Sequence, residues 1–269
     1  MRSFEFESWD AGRVQVNKEF APILSRNGLR TFDALMNYSG GQTAKNVLAE
    51  RVTTRIDLDD DAGRTHAFYI KRHTPAPVKE YLKAWSRFRK PLLSARFEWE
   101  AILNFHAVGI STMIPVAYGE RGRYSFLVTE SLEECSKLSH WVRDENPDEE
   151  QLEEVVKQVA EITRTMHRAG MHHQDYYLGH LMLARTATPR TIHVIDLGRV
   201  LKRPRLHSRW IVKDLAQLNY SARMLDQKYQ RVFVEHYFQR PKEECDRSLL
   251  NRIEQKTEQI ARHSKRHAL

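Results

Sequence analysis

Two aspartates carry the strongest chemical signal in this chain. Asp175 stands in Met171-His172-His173-Gln174-Asp175, and Asp196 opens Asp196-Leu197-Gly198, 21 positions on. Between them lie Leu181-Met182-Leu183, a turn, and Thr191-Ile192-His193-Val194-Ile195. A loop aspartate, a short hairpin and a second aspartate form the order of a phosphoryl-transfer centre. The first carboxylate would orient an acceptor hydroxyl and take its proton; the second would hold the magnesium that neutralises nucleotide phosphates.

Each residue has a plainer reading beside the chemical one. Asp175 could be an exposed loop acid or a helix N-cap. Asp196 follows a β-branched run, and an acid at the end of a buried strand is costly unless paired or metal-bound; Asp-Leu-Gly is also an ordinary turn. Lys71 closes Phe68-Tyr69-Ile70-Lys71 and suits a lysine that meets nucleotide phosphates, or a solvated strand-end lysine. Glu98, early on the next helix, is its expected partner and Glu100 the alternative. Two positions apart on a helix, the two cannot share a face. Glu130 joins Lys71, His180 and Asp196 on the nucleotide side. His180 follows Asp175 by five residues. Magnesium prefers oxygen ligands, so Asp196 is the expected metal ligand and His180 the weaker one. A zinc site of His172, His173 and His180 lacks a clear fourth ligand. Asp214 has two readings of equal weight: a buried acid bracing the catalytic-loop backbone, or a surface acid at a helix start. No G-x-G-x-x-G or G-x-x-x-x-G-K-[ST] occurs, and Gly40-Gly41-Gln42-Thr43 is the nearest candidate for a turn over the phosphates.

The elements that must position these residues follow from periodicity. Val47–Leu58 and Ala67–Lys71 read as strands, separated by the turn signal Asp59-Asp60-Asp61-Ala62-Gly63. Pro77–Leu93 and Ser94–Val108 read as helices, the second stopping at Gly109. Ile114–Tyr118 and Tyr124–Val128 are two further strands. Asp148–Arg168 has a helical apolar stripe and stops at Gly170. Lys213–Leu225 and Val232–Phe238 are shorter helices, and Leu250–Arg262 is a polar, exposed one. The expected class is α+β: a β-rich N-terminal lobe over 1–130, a mainly helical C-terminal lobe over 131–269, and a cleft between them.

Composition narrows the partners. At 41% apolar and 29% charged residues the chain suits a water-exposed globular protein with its own core. Two cysteines imply no disulfide framework and fit a reducing compartment. The first residues lack the apolar core of a signal peptide, and no run of about 18 apolar residues could span a bilayer. A net charge of +8 favours anionic partners, an acidic protein among them, or simply solubility. No nucleic-acid module accompanies it. Lys79, Lys83, Arg87, Arg89 and Lys90 share the 77–93 segment with Tyr81, Trp85 and Phe88, a pattern suited to an anionic membrane surface or to packing against the N-lobe.

His173-Gln174-Asp175-Tyr176-Tyr177-Leu178-Gly179-His180 with Asp196-Leu197-Gly198-Arg199 resembles the lipopolysaccharide kinase family (Kdo and heptose kinases, WaaP/InaA-like). Tyr69-Ile70-Lys71-Arg72-His73, Ala95-Arg96-Phe97-Glu98-Trp99, Val116-Ala117-Tyr118-Gly119-Glu120, Met166-His167-Arg168-Ala169-Gly170 and Lys213-Asp214-Leu215 carry the likeness across about 32–240. It implies a protein-kinase-like bilobal fold and transfer of phosphate from ATP, with Mg2+, to a sugar of the lipopolysaccharide inner core, the first heptose in the heptose-kinase branch. It also implies Lys71 as the nucleotide lysine, Glu98 as its partner, Asp175 as base and Asp196 as magnesium ligand. The setting would be cytoplasmic, peripheral on the inner face of the inner membrane where the lipid-linked acceptor lies. Gln174 stands where the family usually has arginine.

Asp196 and Trp210 are 14 positions apart with no Ala-Pro-Glu following, little room for a peptide-binding segment. Arg199, Lys202, Arg203, Arg205 and Arg209 in that stretch suit phosphates on an anionic glycan, or a solvated basic loop. A Kdo kinase, another small-molecule or protein kinase of the same fold, and a non-catalytic kinase-like binding protein are the alternatives.

Overall fold

The computed structural model describes residues 2–48, 51–75, 94–186 and 190–267. The expected helix over 77–93, with its basic and aromatic residues, lies outside them. The chain divides into two compact units, Met1–Ala107 with Met113–Glu133, and Val108–Thr112 with Glu134–Leu269.

The first unit is built on an antiparallel sheet. Its strands are β1 (Phe6–Trp9), β2 (Val14–Asn17), β3 (Gln42–Leu48), β4 (Arg51–Asp59), β5 (Thr65–His73), β6 (Pro115–Arg121) and β7 (Tyr124–Glu130), in the order β1-β2-β6-β7-β5-β4-β3. Alternation decides which face is buried: Thr54, Ile56 and Leu58 of β4 and Phe68 and Ile70 of β5 point into one core. That core also takes Val14, Val16, Phe126 and Val128, and helices α1 (Ala21–Arg26) and α2 (Phe32–Asn37) cover it with Leu24, Phe32 and Leu35. The β4–β5 turn forms where the acidic run predicted it. Asp60 accepts the Ala62 and Arg64 N–H groups, and Gly63 takes φ 74°. The run read as one strand over 47–58 is instead the end of β3 and most of β4; its alternation is that of β4 alone.

Helix α3 (Arg96–Ala107) packs on β6 and β7. Ser94 Oγ accepts the Arg96 N–H, and the Ala95 N–H donates to Ser125 Oγ on β7. Its buried stripe is Glu98, Ala101, Ile102 and Phe105, so an acid occupies an apolar position.

The second unit holds α4 (Leu138–Asp144), α5 (Glu149–Arg168), α6 (Ser208–Ser221), α7 (Gln227–Phe238) and α8 (Arg247–His267). Short strands β8 (Cys135–Lys137), β10 (Leu181–Ala184) and β11 (Ile192–Val194) form one sheet. A two-residue pair, β9 (Met171–His172) and β12 (Leu201–Lys202), forms another. Asp148 caps α5, accepting the Gln151 N–H at 2.8 Å. Gly170 ends it at φ 76°, and a Cβ there would lie 2.2 Å from the Arg203 carbonyl oxygen. Only glycine therefore lets the 201–203 backbone lie against β9.

Helix boundaries in this unit differ from expectation, two of them consequentially. Helix α6 begins at Ser208, so Asp214 sits in its middle and the reading as an acid at a helix start falls away. Helix α7 begins at Gln227, capped by Asp226. Helix α8 is not exposed all round: Ile253 packs on the core of Ala160, Leu215 and Tyr237, and Asn219 of α6 donates to Thr257 at 3.3 Å.

Candidate active site

Lys71 lies on β5 opposite Leu127 of β7. Its Nζ donates to Glu98 Oε1 at 2.6 Å, and Glu98 is 4% exposed. Helical phase decides between the two candidate glutamates. Glu98 lies on the buried stripe of α3, whereas Glu100 lies on the exposed face and accepts from Arg96 Nε at 2.7 Å. A buried carboxylate without a cation would be strongly unfavourable, so Lys71 and Glu98 hold each other in place.

Glu130 is not brought to that pair. It is opposite Phe68, three residues from Lys71, and so on the other face of the strand. Burial pushes its carboxyl up, with Glu19 adding to the shift and Arg2 and His66 opposing it. Gly40 and Gly41 precede β3, where a Cβ on Gly41 would lie 2.4 Å from the Arg55 carbonyl oxygen. Residues 49–50, between β3 and β4, lie outside the described residues.

In the second unit the loop after β9 carries Asp175, and α6 organises it. Asp214 is fully buried, and its two oxygens accept the His173 N–H at 2.7 Å and the Gln174 N–H at 2.9 Å. One turn on, Gln217 accepts the Tyr176 N–H at 3.1 Å and donates to the Gln174 carbonyl at 3.0 Å. A further turn on, Ser221 accepts the Leu178 N–H at 2.9 Å. Positions 214, 217 and 221 share one helical face, so one rigid element satisfies four loop amides. Sequence reasoning named Asp214 and missed Gln217 and Ser221; their spacing from Asp214 was the available signal.

Burial alone would raise the Asp214 carboxyl, but the His167 ring and the loop amides outweigh it and hold it below the ordinary value. His167 approaches Asp214 at 3.4 Å and meets the Tyr237 hydroxyl at 2.8 Å. The ring of His173 is fully buried and its pKa is lowered, chiefly by burial. Its Nδ1 accepts the Asp175 N–H at 3.3 Å, which leaves Nε2 to donate to the Ile195 carbonyl at 3.0 Å. The loop aspartate and the residue before Asp196 are thus tied to one imidazole.

Asp175, His180 and Asp196 offer ligand atoms that all lie within 4.8 Å of one another. His180 Nδ1 donates to the Asp175 carbonyl at 2.7 Å. Its Nε2 lies 3.6 Å from Asp196 Oδ2. Two carboxylates at the 4.8 Å limit repel by about 1 kcal/mol in water and about 3 kcal/mol at an effective dielectric of 20, and a cation between the three groups would relieve that. The donor set therefore fits a divalent ion. His180 is better placed to join it than its residue type suggested. The other histidines do not converge with it. His172 stacks on Trp210, its Nε2 accepts from Arg203, and burial pushes its pKa down to about 4.

A lysine–glutamate pair between strand and helix, a loop aspartate braced from a helix below, and a second aspartate after a short hairpin define the protein-kinase-like class. The comparisons narrow this. The sequence matches the lipopolysaccharide kinase (Kdo/WaaP) family over residues 37–242. It is 34% identical to the lipopolysaccharide core heptose(I) kinase WaaP of Pseudomonas aeruginosa over 258 residues, covering 90% of this chain and 94% of that protein. It is 32% identical to the WaaP of Escherichia coli, covering 95% and 100%. A solved structure of WaaP in complex with acyl carrier protein superposes with a TM-score of 0.72 at 31% identity, covering 92% of this chain and 99% of that one. The chain belongs to the lipopolysaccharide kinase (Kdo/WaaP) family. The expected α+β, protein-kinase-like fold and the phosphotransferase class, with an alcohol group as acceptor, are borne out.

Asp214 supplies the first prediction. Asp214→Asn presents an N–H₂ group to one of two loop amides, leaving a buried donor unsatisfied at a cost of about 1–3 kcal/mol. Urea unfolding should show that loss. Because the folded pKa of Asp214 lies below its unfolded value, its contribution is complete above pH ~4 and fades as pH falls through the folded value. Acid unfolding of Asp214→Asn should lack that component. Equal stability of the two proteins at neutral pH would refute the bracing role.

Proposed function

We propose that this protein transfers the γ-phosphoryl group of ATP to a hydroxyl of the first heptose of the lipopolysaccharide inner core. The arrangement of Asp175, His180 and Asp196 in one cluster carries this reading, supported by family membership and the named relatives. Kdo is the second acceptor considered; relatives named as heptose(I) kinases favour the first.

Lys71, fixed by Glu98, would meet the α- and β-phosphates. Asp196 and His180 would hold Mg2+, which supplies charge neutralisation at the phosphates when bound. Asp175 orients the acceptor hydroxyl and takes its proton as the new O–P bond forms. Its loop position is held from α6 and by His173, so little reorganisation is needed at the moment of transfer.

An acyl carrier protein is the proposed partner. Beyond the solved complex, a cavity of about 380 Å³ in the second unit favours it, lined by Leu152, Val156, Leu218, Phe233, Phe238 and Ile253 among others. Its volume is that of a small-molecule site, and its walls suit a hydrocarbon chain. Attachment to the cytoplasmic face of the inner membrane is also proposed, from the basic and aromatic composition of 77–93 and the lipid-linked acceptor. Among the described residues no helix is long and apolar enough to cross a membrane.

Incubation with ATP, magnesium and dephosphorylated core acceptor should add one phosphate mass to the acceptor. Asp175→Ala and Asp196→Ala should each lower turnover by at least about 10²-fold while unfolding as wild type does. Turnover retained by either variant removes its assigned role, and a validated acceptor left unmodified by wild type removes the activity. Acyl-loaded carrier protein should bind more tightly than the unloaded form, and Val156→Arg should abolish the difference; equal binding of both forms argues against the cavity as acyl site. Flotation with acidic liposomes at low salt should carry the protein upward, with release as salt rises. Protein left at the bottom of the gradient at low salt ends the membrane proposal.

A further inference from the structure

The catalytic loop grips the Asp196 segment on both sides. His173 Nε2 donates to the carbonyl of Ile195, and Gln174 Nε2 donates to the carbonyl of Arg199 at 2.6 Å. Asp196 lies between those anchors with left-handed backbone, φ 59°. Gln174 is itself left-handed, φ 68°, a conformation that costs a non-glycine residue of order 1 kcal/mol. The hydrogen bond from Gln217 to its carbonyl and the two amide bonds to Asp214 and Gln217 around it offset that cost. So Gln174 does not simply lack an arginine's charge. Its amide fixes the point from which the Arg199 side chain leaves the backbone.

That side chain places Nη1 3.7 Å from Asp175 Oδ2 and is 65% exposed. An exposed pair at this distance adds about 0–1 kcal/mol to stability. Support of the fold is therefore a poor account of it. What it achieves is a permanent positive charge beside Asp175, within reach of any group that approaches both Asp175 and the Asp196–His180 cation site.

We infer that Arg199 is a further catalytic residue that contacts the phosphoryl group in transit, and that Gln174 is its positioning residue. The inference rests on phosphotransfer at the Asp175–Asp196 pair. In the step, the acceptor oxygen forms a bond to the γ-phosphorus and gives its proton to Asp175. The bond from that phosphorus to the β–γ bridging oxygen breaks, and ADP leaves with the electron pair. Arg199 gives and takes no proton; its guanidinium donates hydrogen bonds to an equatorial oxygen, where charge is concentrated in transit. A fixed cation in this place does the work that other phosphotransferases assign to an arginine beside the transferred group.

Calorimetry with Mg·ADP, with and without aluminium fluoride as mimic of the transferring group, tests this without any acceptor. Arg199→Ala should bind Mg·ADP as wild type does but lose about 10²-fold of the tightening that fluoride adds, with Arg199→Lys between the two. In turnover with core acceptor, millimolar guanidinium should restore part of the activity of Arg199→Ala. Gln174→Ala should lose a smaller share of the fluoride tightening, and none of it in the Arg199→Ala background, although its bond to a main-chain carbonyl would persist there. Full fluoride tightening in Arg199→Ala overturns the inference. So does a rise in acceptor KM with kcat unchanged, which would make Arg199 an acceptor-binding residue only. A wild type that binds ADP and fluoride yet phosphorylates no core sugar separates the two failures: the acceptor is then wrong, while Arg199 is still judged by the calorimetry. A wild type with no affinity for nucleotide overturns both.

Discussion

A carboxylate with no exposed surface cannot remain charged unless donors surround it, and Asp214 is placed so that those donors are the amides of the catalytic loop. The need runs both ways. The loop after β9 has no ladder of its own, so its N–H groups also require acceptors. Helix α6 meets both requirements with three residues on one face, while Leu215 on its flank joins the apolar packing of the second unit. Loop position is therefore set by helix packing, and the tight conformation at Gln174 is tolerated because its neighbours are already fixed. His167 extends the bracing to α5 and, through Tyr237, to α7.

The first unit solves a similar problem with one ion pair. Glu98 lies on the apolar stripe of α3, and only a cation at Lys71 makes that burial acceptable. The stripe residues Ile102 and Phe105 hold the helix phase, and the Ala95 N–H ties the helix start to β7. Ring contacts of Phe4 with His106 and Phe6 with Trp99 hold the same helix from the N-terminal segment. Both units thus place a charged group where leaving it unpaired would be costly, and both use secondary structure to supply the partner.

The spacing of Asp175 and Asp196, the Lys71 strand and the α3 and α5 helices could be read directly, because each rests on a long periodic stretch or a turn signal. The choice of Glu98 over Glu100 could not, since it depends on which face of α3 the sheet covers. Helix α6 was read late by five residues. Its N-cap, His207, makes no side-chain capping bond, and Trp210-Ile211-Val212 favours strand as much as helix. That error made Asp214 ambiguous and concealed Gln217 and Ser221, whose meaning comes only from sharing its face. Strands β8, β9 and β12, two or three residues each, are too short for any alternation to show. The face of Glu130 was hidden for a related reason: only the β5–β7 register reveals that it lies with Phe68 and not with Lys71.

Gln174 shows how a departure from a family pattern is best read through geometry. An arginine there would bring a charge that needs an anion; a glutamine brings one donor that a main-chain carbonyl can satisfy, and the Arg199 carbonyl does so at 2.6 Å. The bond joins the loop of Asp175 to the segment of Asp196 without any modification of the protein. Separation between the two carboxylates is then a property of the resting chain, with His180 beside Asp196 on one side and Arg199 beside Asp175 on the other. A site built this way holds its two aspartate segments together through main-chain carbonyls and the imidazole and amide groups of the chain itself.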